Sequence, residues 1–98
     1  MLIVNDLGTE VLNSEAVFSY QVAQTPEGQW VVLLHGTGLK TFLVVGSKDR
    51  CEKALATIVK GAKERWHVVD LLGILGQRPD LTVAQPGIIM PGNGEGRP

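Results

Sequence analysis

Apolar and polar positions alternate in short stretches over the first half of the chain and then change period. Residues 2–46 read as β segments broken by turn chemistry. Leu2-Ile3-Val4 and Glu10-Val11-Leu12 flank Asn5-Asp6-Leu7-Gly8-Thr9, a hairpin connection because Asn, Asp and Gly tolerate positive φ. In Ala16 to Gln24, Phe18, Tyr20 and Val22 point one way and Ser19 and Gln21 the other, the pattern of a half-buried strand. Thr25-Pro26-Glu27-Gly28 is a turn, with Pro holding φ and Gly free to adopt a left-handed conformation.

The next two strands, Trp30 to His35 and Thr41 to Val45, do not alternate. Trp30, Val32 and Leu34 are apolar on one face, while Val31 and Leu33 are apolar on the other. Phe42 and Val44 oppose Leu43 and Val45 in the same way. A strand that is apolar on both faces needs cover on both.

A helical period takes over at residues 47–66. Ser47 suits the N-cap, and Asp49 places negative charge in the first turn, where the helix dipole favours it. Cys51, Ala54, Leu55, Ile58, Val59, Ala62 and Trp66 recur at offsets of three and four and predict one apolar stripe. Such a helix covers one face of a sheet and leaves the other bare.

Residues 67–98 hold four of the five prolines and six of the twelve glycines, yet are rich in Val, Leu and Ile. A disordered tail would be polar. Val68, Leu71, Leu72 and Leu75 have helical spacing and predict a short second helix ending at Gly76. Beyond Pro79 the chain is expected to be extended, with Pro86-Gly87-Ile88-Ile89-Met90-Pro91-Gly92 as a docking strip. The bare sheet face needs a cover and the tail carries apolar groups, so self-association would satisfy both. A stable interface ordinarily buries about 800 Å² per subunit.

Composition narrows the chemistry. Hydrophobic residues at 44% and charged residues at 19% describe a globular chain, and a net charge of −1 argues against a strongly basic nucleic-acid binder. One cysteine excludes a disulfide framework and a Cys-rich zinc site. No signal peptide or membrane segment is apparent, and a cytoplasmic protein is expected. Gly36-Thr37-Gly38-Leu39-Lys40-Thr41 lacks the spacing and following helix of a phosphate loop and reads as a hairpin turn. Cys51 falls on the apolar stripe, which suits a buried thiol better than a nucleophile. His35 and His67 sit on different elements with no ligand spacing around them, so neither metal nor cofactor is expected. Lys48, Arg50, Lys53, Lys60, Lys63 and Arg65 outnumber Asp49, Glu52 and Glu64 by three over residues 48–65. Pairs such as Asp49–Lys53 and Lys60–Glu64 would make this a solvated face, and the alternative is nucleic-acid contact through Lys53, Lys60 and Lys63.

Leu2-Ile3-Val4-Asn5, Gly8, Glu10-Val11-Leu12-Asn13, the β meander, and Ser47-Lys48-Asp49-Arg50 running into Ala54-Leu55-Ala56-Thr57-Ile58 carry a resemblance. Over residues 2–65 the chain resembles a small uncharacterised family of Firmicutes and their phages. That resemblance implies a curved antiparallel sheet with one helix, a mobile-element context and no catalytic residues to carry over. The combined expectation is an α+β fold: about five antiparallel strands, one amphipathic helix on one face, and an apolar C-terminal tail. Residues 1–66 would be the β-meander and helix domain, and residues 67–98 the extension. The expected function is a non-enzymatic protein-interaction module, homo-oligomeric or bound to a protein partner, without nucleic acid or membrane. Val31, Leu33, Leu43 and Val45, with Ile88, Ile89 and Met90, are the expected contacts. A bulge would exchange the strand residues for Trp30, Val32, Leu34, Phe42 and Val44. The remaining alternative is a small enzyme or ligand-binding protein with a site at a subunit boundary near His35, His67 or Cys51.

Overall fold

Alternation and turn residues produce strands where expected, but not a single sheet. A computed structural model describes residues 1–79. Among them are β1 (Leu2–Val4), β2 (Val11–Asn13), β3 (Val17–Gln24), β4 (Trp30–Gly36), β5 (Leu39–Gly46), α1 (Lys48–Glu64), β6 (Val68–Asp70) and α2 (Leu71–Leu75). The fold is α+β, with two three-stranded sheets ordered β2-β1-β6 and β3-β4-β5. This corrects the expectation of one antiparallel sheet of about five strands, because β6 pairs with β1 in parallel. Among the described residues, no helix is long and apolar enough to cross a membrane.

The hairpin of β1 and β2 closes through Asn5, whose Oδ1 accepts from the backbone N–H groups of Thr9 (2.9 Å) and Glu10 (3.1 Å). Gly8 takes φ 71° in that loop, a left-handed conformation open to glycine at little steric expense. Helix α1 starts where its cap predicts: the Ser47 hydroxyl accepts from the Arg50 N–H at 3.1 Å. The short helix α2 begins later than its spacing suggested. Asp70 accepts from the Gly73 N–H and is therefore its cap. The β-branched pair Val68 and Val69 before that cap extends alongside β1 instead of coiling.

Two bulges rearrange the faces of the larger sheet. Val32 pairs with Val44 and Leu33 with Phe42, which leaves Leu43 as an extra residue on β5. Leu43 and Val44 consequently both join the cluster under α1, with Val32, Leu34, Cys51, Ala54 and Ile58. Ile3, Val69 and Leu71 belong to the same cluster, so elements on both sides of Trp66 share one core. On β3 the irregularity lies between Val17 and Ser19. Phe18, which alternation had placed with Tyr20 and Val22, is 76% exposed there.

The buried stripe of α1 is also rotated from the expected one. Cys51, Ala54, Ile58 and Gly61 are buried, Leu55 is half-buried, and Val59 and Ala62 are exposed. Gly61 explains the rotation. Its missing side chain admits Val69, Trp66 and Met1 so closely that a Cβ would stand 2.8 Å from Val69 Cγ2.

Candidate interaction site

The face of the β3-β4-β5 sheet opposite α1 carries a second, smaller cluster. Val31, Phe42 and Val45 are buried, and Ala23 and Leu33 pack against them. Of the expected contacts, Val31, Leu33 and Val45 therefore lie together on this far face. Leu43 does not: the β5 bulge turns it under α1 and puts Phe42 in its place. A bulge exchanges part of the set, not all of it, because it shifts register on one strand only. Ile88, Ile89 and Met90 lie outside the described residues.

At the border of this face sits a charge cluster that local patterning does not reveal. Asp6 is fully buried, and its carboxylate takes Arg78 Nε at 2.7 Å and Arg50 Nη2 at 3.0 Å. The Val45 N–H donates to the same carboxylate at 3.1 Å, and the Asp6 N–H donates to the Leu43 carbonyl. Arg50 also donates to the carbonyls of Val45, Leu75 and Gly76, and Arg78 to that of Phe42 at 3.2 Å. Every bond runs to a charged or backbone group, so burial leaves little uncompensated charge on these side chains. The cluster ties the β1–β2 loop, the edge of β5, the first turn of α1 and the chain after α2 into one node. It anchors Arg78, next to the last described residue, against β5.

No family model, curated protein or solved structure matches this chain.

The other candidate residues stay separate. Cys51 is buried on the sheet-facing side of α1, and burial, reinforced by the Asp6 charge, pushes its thiol up to about 11. A thiol so held is protonated at neutral pH and a poor nucleophile. His67 follows the far end of α1, about 20 Å along the helix from Cys51 at 1.5 Å per residue. His35 lies at the end of β4 beside the β4–β5 turn. Among the described residues, no group of three His, Cys, Asp or Glu side chains is placed to hold a metal. Lys53, Lys60 and Lys63 are exposed on α1. The expected pairs Asp49–Lys53 and Lys60–Glu64 do not form; among the described residues the ion pairs are those of Asp6. Glu64 instead accepts from the Trp66 indole N–H at 3.1 Å, and the Lys60 ammonium lies 5.9 Å from the Trp66 ring centre.

Proposed function

We propose that this chain is a non-enzymatic protein-interaction module that self-associates through the far face of its larger sheet and its C-terminal segment. One observation carries the reading: Arg78 is fastened to the Phe42 carbonyl and to Asp6, at the border of the far-face cluster. The described chain therefore ends, at Pro79, beside an apolar cluster whose partly exposed members are Ala23 and Leu33, and the sequence that follows contains Ile88, Ile89 and Met90. Ten residues separate Arg78 from Ile88, a reach of up to about 33 Å when extended, ample to contact a second copy. Burying Ile88, Ile89 and Met90 in that contact contributes about 1.5–3 kcal/mol each. In this reading the protein works in the cytoplasm, in the phage or mobile-element setting that the resemblance over residues 2–65 implies.

Light-scattering mass over a dilution series tests the reading on the full chain and on the triple substitution Ile88→Asp, Ile89→Asp, Met90→Asp. The full chain is expected to form an oligomer whose mass falls on dilution, and the substituted chain a smaller species. Equal masses for both would refute it.

A further inference from the structure

A different surface, on the opposite side of the larger sheet from β5, meets the requirements for pairing with a second copy. Strand β3 is the outer strand in the order β3-β4-β5, and among the described residues nothing pairs with its free edge. Over Val17–Gln24 the sequence VFSYQVAQ has no charged residue and no proline, two of the usual devices that discourage edge-to-edge pairing. The bulge is a third such device, but it is confined to the start of the strand. Ser19 to Gln24 runs in regular register.

Beside that edge, α1 presents the apolar residues its rotation left uncovered. Val22, Leu55, Ala56 and Val59, with Glu52, line a shallow open groove of about 570 Å³. Val59 is 45% exposed, and Phe18, at the irregularity of β3, is exposed as well. An apolar groove running beside an unpaired strand offers backbone hydrogen bonds and desolvation together, the combination used in β-strand addition.

Charge identifies the occupant. On α1, Glu52, Ala56, Val59 and Lys63 follow offsets of four, three and four and so share one face. A two-fold axis passing between Ala56 and Val59 sets Glu52 of one copy against Lys63 of the other, twice, with Ala56 against Val59 between them. Such a stripe is complementary to itself in the antiparallel sense, as an isologous interface requires. The β3 strand is about 26 Å long at 3.3 Å per residue, and α1 about 26 Å at 1.5 Å per residue, so both layers extend along the full contact.

We infer that two copies of this chain join through antiparallel pairing of their β3 edges, flanked by α1 against α1. The result is one continuous six-stranded sheet with both α1 helices on the same side. This interface is distinct from the far-face and C-terminal contacts proposed above.

Charge exchange tests it on the full chain, with the dimer dissociation constant read by sedimentation equilibrium at low salt. Glu52→Lys and Lys63→Glu are each expected to weaken dimerisation about tenfold, because two-fold symmetry counts every change twice. The double variant Glu52→Lys, Lys63→Glu restores the pairs in reverse and is expected to recover to within about threefold of the starting value. Both residues are exposed, so the fold tolerates the exchange. A full chain that stays monomeric, single variants without effect, or a double variant no better than the singles would each overturn the inference. Substitutions at Ile88, Ile89 and Met90 leave this dimer intact, so the two interfaces fail or survive independently.

Discussion

Replacing Asp6 with Ala is the most severe single change that the structure predicts for a charged residue. The carboxylate is fully buried, and it neutralises two guanidinium groups whose side chains are 15% exposed at Arg50 and 8% at Arg78. Removing it leaves both cations without a counter-charge and the Val45 N–H without its acceptor. Breaking a buried ion pair from one side costs about 3–5 kcal/mol, against a total stability of about 5–15 kcal/mol for a small domain. Arg50 keeps three carbonyl acceptors after the change, whereas Arg78 keeps the Phe42 carbonyl. The larger share of the loss therefore falls on Arg78. Arg78→Leu alone costs less, because Asp6 retains Arg50 and the Val45 N–H. The double variant Asp6→Ala, Arg78→Leu is then less destabilised than the sum of the two single variants. Urea unfolding followed by the fluorescence of Trp30 and Trp66 gives all three free energies. A loss below about 1 kcal/mol for Asp6→Ala, or strict additivity in the double variant, would refute the assignment of Asp6 as the node's counter-charge.

Three further outcomes follow from the packing. Gly61→Ala is expected to lower the thermal midpoint despite a gain of about 1 kcal/mol in helix propensity, since the new Cβ would crowd Val69 Cγ2 at 2.8 Å and Trp66 Cε3 at 3.0 Å; an unchanged or raised midpoint would contradict the close approach of α1 to β6. The Cys51 thiol should resist a disulfide reagent at pH 8 until the protein is unfolded. Its folded pKa is raised, so the unfolded chain loses this proton first, and stability should fall as pH climbs from about 9 towards 11. Cys51→Ala should fall less steeply over that window, and identical pH profiles would exclude the thiol as the cause. A chain ending at Trp66 loses Val69 and Leu71 from the core and should lack a cooperative unfolding transition, whereas one ending at Pro79 should keep it; circular dichroism melts of the two decide the matter.

Much of the fold was legible because its causes are local. The Ser47 cap, the Asp49 charge and the three-four spacing mark α1 within a residue or two of its ends, Gly8 and Gly28 mark turns by their conformational freedom, and Asn5 marks one by its side-chain hydrogen bonds. The two-sided hydrophobicity of β4 and β5 correctly announced two buried faces. Which residue joins which face was another matter. Bulges at Phe18 and Leu43 depend on strand pairing, which no single strand's pattern contains, and one added residue is enough to invert the alternation beyond it.

The candidate site was legible only in its apolar half. Val31, Leu33 and Val45 could be assigned to one strand face by position, but Asp6 read as a turn residue and nothing in the pattern singled out Arg78. Seventy-two residues separate them in the chain, and their 2.7 Å contact exists only once β6 has paired with β1 and returned the chain towards β5. Sequence alone determined the helix, the hairpins and the need to cover a second sheet face, because propensity, capping and periodicity act within a few residues. Tertiary structure decided the split into two sheets, the rotation of α1 about Gly61 and the buried charge node, because each depends on groups far apart in sequence whose contacts stabilise the fold only when formed together.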